Sequence, residues 1–77
     1  MYYDEIKMDF THVKSLSVKQ IGHNKEHNVL GVEMNNDAVY YYLDVTRDIF
    51  QIMIKQTAIG SWMHRNIRGK YRYIRIR

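Results

Sequence analysis

The 77-residue chain has no cysteine and no proline. Without cysteine, no disulfide can staple the fold and no thiolate can hold a metal. A chain this short hides only about 60% of its unfolded surface on folding, so its core must come from aliphatic and aromatic side chains alone. With no proline, repeat or low-complexity stretch there is no internal boundary, and 1–77 reads as one domain. No run approaches the roughly 20 apolar residues of a membrane span, so no membrane partner is expected. The acidic start (Met1-Tyr-Tyr-Asp-Glu) does not read as a signal peptide, which makes the cytoplasm the expected location.

Patterns that carry chemistry are equally scarce. The glycines at 22, 31, 60 and 69 are too dispersed for a phosphate-binding loop. Ser15, Ser17 and Ser61 lack a Gly-x-Ser-x-Gly elbow, and no base is positioned beside them. No enzyme, catalytic residue or cofactor is therefore expected. The one metal-like spacing is His23-Asn-Lys-Glu-His27. Zinc takes three or four ligands, and this segment reads as a solvated turn, so no metal site is expected. His12 and His64 are isolated and read as surface residues.

What the chain does have is an uneven charge. Residues 1–64 carry six Lys or Arg against all eight Asp and Glu, while residues 65–77 carry Arg65, Arg68, Lys70, Arg72, Arg75 and Arg77 with no acid. Asymmetry of this kind points to an anionic partner. A solvated basic tail has the same composition; the tyrosines within the segment favour the partner.

Hydrophobic patterning gives the elements. Ile6, Met8 and Phe10 alternate with polar residues, as in a short strand or a first helical turn. Val18–Gly22 reads as a strand, 23–28 as a turn, and Val29–Met34 as a second strand with Leu30, Val32 and Met34 on one face. After the turn at 35–37, Ala38–Val45 is a third strand rich in β-branched and aromatic residues. Thr46 has the character of an N-cap, its hydroxyl accepting from an early N–H, with Asp48 in the first turn. A helix with a broad apolar face follows over Thr46–Gln56. Ser61 reads as the cap of a second helix carrying Trp62, Met63 and Ile67, closed by Gly69, and Lys70–Arg77 as a last strand. The order β-β-β-α-α-β, with an optional N-terminal strand, predicts an α+β fold: a small antiparallel sheet with a helix packed on one face.

Three segments together, Val39-Tyr-Tyr-Tyr-Leu-Asp-Val45, Gly60-Ser-Trp-Met63 and Asn66-Ile-Arg-Gly-Lys-Tyr71, resemble the KTSC domain. That family is named for the C-terminus of some lysyl-tRNA synthetases and also occurs as stand-alone bacterial and phage proteins. The resemblance spans about 13–76. It rests on a central Tyr-x-Tyr, a Gly-x-aromatic segment, Asn-x-x-Ile and a late tyrosine, short motifs whose order and spacing make the match. The chain departs from the pattern at His23-Asn24, where the family has Tyr-Asp; at Leu16, where it has Ser; and at Thr46, where it has Pro. The resemblance implies the fold, and RNA binding has been suggested for the family.

The tyrosines give two readings. If Asn36-Asp37 forms a two-residue turn, Leu30, Val32 and Met34 face Val39, Tyr41 and Leu43, and Tyr40 and Tyr42 lie on the other face, available for stacking. The resemblance implies the reverse, with the tyrosines flanking the middle position as the packed pair; a one-residue bulge would reconcile the two. Tyr71 and Tyr73 share a face of the last strand, interleaved with Lys70, Arg72 and Arg75. Rings that stack on bases beside arginines that neutralise phosphates suit single-stranded or structured RNA. An edge strand protected by charge has a similar composition. The expected nucleic-acid-binding residues are Arg65, Arg68, Lys70, Tyr71, Arg72, Tyr73 and Arg75, with Tyr40 and Tyr42 as further stacking candidates. The alternative is a protein-interaction module, a small phage or accessory protein whose basic end docks an acidic partner, as a monomer or a small homo-oligomer paired through a strand edge.

Overall fold

Two polar loops set the register of the sheet. The structure is a computed structural model that describes residues 3–77; Met1 and Tyr2, within the acidic start, lie outside the described residues. After a single 3-10 turn (Tyr3–Glu5) come β1 (Thr11–His12), β2 (Val18–Asn24), β3 (Val29–Met34), β4 (Val39–Leu43), α1 (Arg47–Ile54), α2 (Ile59–Asn66) and β5 (Tyr73–Arg75). The strands lie in the order β1-β2-β3-β4-β5, every neighbouring pair antiparallel. The α+β fold and the order from β2 onward are those read from the sequence. The extra N-terminal strand falls at 11–12 rather than 6–10.

The loop between β3 and β4 decides which side chains face where. The N–H of Asp37 donates to the Met34 carbonyl at 2.9 Å, and that of Met34 to the Ala38 carbonyl at 2.8 Å. Asp37 has φ 71°, the left-handed region that Asp tolerates. This is a type I turn followed by a left-handed residue, a three-residue loop, not the expected two-residue turn at Asn36-Asp37. Leu30 consequently pairs with Tyr42 and Val32 with Tyr40. A one-residue change of register swaps faces, so Tyr40 and Tyr42 share the face of Leu30 and Val32. That outcome agrees with the resemblance and corrects the stacking arrangement derived from the two-residue turn.

Both helices lie on that face. Phe50 and Met53 of α1, and Ile59, Met63 and the following Ile67 of α2, bury against Val18, Ile21, Leu30, Val32 and Tyr42. Thr46 occupies the N-cap with extended backbone, but its hydroxyl makes no capping hydrogen bond. The second helix starts three residues earlier than expected: Ala58, not Ser61, is its N-cap, which brings Ile59 into the core.

The opposite face is covered too. Tyr41 and Val39 bury with Val29 and Ile6, and Met8 and Phe10 pack on that cluster. Gly22 and Gly31 pair across β2 and β3, and a Cβ on either would meet Met8 at 2.9 or 3.1 Å. The absence of two side chains is what lets the N-terminal segment lie close on the sheet.

His23 is a second correction. It lies inside β2, not in a solvated turn, and is 8% exposed. Its Nε2 donates to the Val45 carbonyl at 2.7 Å, and its ring stacks on Phe50 at 5.4 Å and 24°. Nδ1 is buried with no partner among the described residues.

Candidate functional site

Strand pairing draws a row of rings across the helix side of the sheet. Tyr42 pairs with Tyr73 and Tyr40 with Arg75, so all four project to one face. The helices cover the β2 and β3 end of this face and leave the β5 end open. The Tyr73 ring meets Tyr40 edge-on at 5.6 Å and 76°, and Tyr42 at 5.7 Å and 46°. The Arg75 guanidinium lies 5.7 Å from the centre of the Tyr40 ring, within cation–π range. Exposure falls from Tyr73, at 59%, through half-buried Tyr40 to Tyr42, at 4%.

These rings form one wall of a cleft of about 590 Å³, completed by Met34, Asn35, Asn36 and Arg68. Arg68 is carried there by the end of α2: Ile67 is buried, Gly69 takes φ 78°, and the N–H groups of Lys70 and Tyr71 both return to the Ile67 carbonyl. Burial pushes the Tyr42 phenol above its ordinary pKa, and the positive charge of Arg68 opposes that rise. Tyr42 is therefore a neutral ring at physiological pH.

A second cleft, of about 620 Å³, adjoins the first and shares Ser17 and Arg68 with it. Lys14, His64 and Arg65 also line it, together with Leu16, whose side chain is fully exposed. Among the described residues, no carboxylate lines either cleft.

The residues expected from the basic C-terminal run are not brought together as one surface. Arg68 and Tyr73 line the first cleft, Arg75 lies against the Tyr40 ring of its wall, and Arg65 lies in the second. Tyr71 and Tyr73 do not share a strand face, because β5 begins at Tyr73. Tyr71 is half-buried against the helical core, and with Lys70 it borders a small recess beside Trp62 and Ile49. Arg72 also precedes β5 and pairs with Asp44 at 3.4 Å. Arg77 is committed to buried Glu33 at 2.6 Å and to the Asp37 carbonyl at 3.2 Å. Tyr40 and Tyr42, the secondary candidates, belong to the centre of the site. Lys14, Met34, Asn35 and Asn36 were not anticipated, because no local pattern marks residues that reach a cleft only through the fold.

Among the described residues no group of three or more His, Cys, Asp or Glu could hold a metal ion, and no helix is long and apolar enough to cross a membrane. A family model described as the KTSC domain matches residues 14–71. The crystal structure of a KTSC domain protein from Yersinia pestis superimposes with a TM-score of 0.88 at 22% identity, covering 92% of this chain and 100% of that one. No curated protein matches the chain.

Proposed function

The chain belongs to the KTSC domain family, and from the cleft its tyrosines line we infer a nucleic-acid-binding module whose preferred ligand is single-stranded RNA. The observation that carries this reading is the convergence of Tyr40, Tyr42 and Tyr73 with Arg68 and Arg75 on one open face. A base stacked on an aromatic side chain gains roughly 1–3 kcal/mol, and every base has a face to stack. Tyr73 is exposed enough to receive one, and its contacts with Tyr40 and Tyr42 hold the ring in place. Arg68 and Arg75 have no ion-pair partner among the described residues, so a phosphate would not have to displace a carboxylate. The neutral, buried Tyr42 phenol adds no negative charge to the floor.

Fluorescence anisotropy with a labelled single-stranded RNA of about eight nucleotides, titrated across salt, tests the reading. Tyr73→Ala should weaken binding by roughly 1–3 kcal/mol with the salt slope unchanged, because stacking releases no counterions. Arg68→Gln should lower the slope by about 0.7. Melting curves establish that each variant is folded. Failure of the wild-type chain to bind at low salt would reject the reading and turn attention to an acidic peptide as the occupant of the same cleft.

A further inference from the structure

We propose that the bound strand does not end in the tyrosine cleft but continues over Arg68 into the second cleft, where Lys14 and Arg65 hold the phosphates next to the stacked base. This inference rests on the proposed function and adds the path of the backbone to it.

The two clefts adjoin, sharing part of their lining. Ser17 and Arg68 line both, so a chain leaving the tyrosine wall meets the Arg68 guanidinium first and the second cleft next. That second cleft has a different chemistry. Among the described residues it is lined by no phenylalanine, tyrosine or tryptophan, and its charged groups, Lys14, Arg65 and Arg68, are all cationic, with the His64 ring beside them. Hydroxyls of Ser15, Ser17, Thr57 and Ser61 fill the spaces between. One cleft therefore offers ring faces and the other offers cations and hydrogen-bonding hydroxyls, which are the two halves a nucleotide strand presents.

Charge distribution elsewhere supports the same path. Among the described residues, the carboxylates paired with lysine or arginine line neither cleft: Glu33 is held by Arg77 and Lys19, Asp37 by Lys19, and Asp44 by Arg72. Lys14 and Arg65 are exposed and enter no ion pair among the described residues. They come from opposite ends of the sequence, the segment before β2 and the last turn of α2, and meet only because the 14–17 loop packs on α2. A Cβ on Gly60 would sit 2.8 Å from the Ser17 hydroxyl, which shows how closely the two segments approach.

The test uses the same RNA of about eight nucleotides and three variants of the full chain. Lys14→Gln with Arg65→Gln should reduce the salt slope by about 1.4 and weaken binding about tenfold near 0.2 M salt, the effect of two lost phosphate contacts. Lys25→Gln with Lys55→Gln removes the same charge from outside both clefts and should leave the slope unchanged. Ser61→Glu places an anion in the second cleft at a helix position that favours acidic residues, so it should weaken binding without weakening the fold. Equal slopes for the wild type and the Lys14 and Arg65 double variant, or equal losses in the two double variants, would overturn the path while leaving the tyrosine site standing. A wild-type chain that binds no RNA would overturn both.

Discussion

Gly22 lies directly across β2 and β3 from Gly31, and Met8 occupies the space above both. The two glycines are not equivalent. A Cβ at Gly22 would come within 2.6 Å of the Asp9 carbonyl oxygen, which is backbone, whereas at Gly31 every close neighbour is the Met8 side chain. Gly22→Ala should therefore destabilise by roughly 1–3 kcal/mol, the usual cost of overpacking. Gly31→Ala should lie within about 1 kcal/mol of wild type, since a thioether chain can re-route and alanine loses less backbone entropy in a strand. Urea denaturation measures both; equal costs would contradict the packing described.

Phe50 is 7% exposed and lies between the His23 ring and the helical core. Phe50→Ala should cost on the order of 3 kcal/mol. A domain of this size has little stability in reserve, so the variant should be partly unfolded at 37 °C. A loss below about 1 kcal/mol in chemical denaturation would show that the ring is not a core anchor.

Arg68 and Arg72 are four residues apart and equally basic, yet only Arg68 lines a cleft. Arg72→Gln should leave the salt slope of RNA binding unchanged, in contrast to the Arg68 variant. Its loss of the exposed Asp44 pair should barely register in a melting curve. Equal slopes for the two variants would indicate a diffuse basic tail.

Tyr42 offers a pH test. Its phenol is raised by burial, so in alkali the unfolded chain ionises first, at about pH 10. Stability linked to this group is complete below that pH and is lost as pH rises towards the folded value. Ultraviolet titration should show a phenol that ionises above the ordinary tyrosine range, and Tyr42→Phe should remove that late step.

Much of this was legible in the sequence. The alternation through 29–45 and the apolar stripe at Phe50 and Met53 specify the strands and the main helix, because burial on one face leaves a period that can be counted. The faces of β4 were not legible. They depend on whether Asp37 takes a left-handed φ, and Asn35-Asn-Asp37 is compatible with a two- or a three-residue loop. His23 sits among polar neighbours and so read as a turn, although its partner across the sheet is Leu30. The division of the basic run followed from the same limit. Charge counting finds six cations in thirteen residues, but strand alternation and two carboxylates distant in sequence, Glu33 and Asp44, decide which remain free.

The Asp37 turn has a reach beyond its own loop. It sets a reading frame for β4: with Met34 opposite Ala38, Tyr40 and Tyr42 look towards the helices and Tyr41 towards the N-terminal segment. A change that favoured a two-residue turn, such as Asn36→Gly creating Asn-Gly, would shift the frame by one. Tyr41 would then pass beneath the helices, and the wall of rings would be turned away from the cleft with no atom of the wall itself mutated. Lys19 reaches the Asp37 carboxylate from β2 and so ties this loop to a strand beyond its own hairpin.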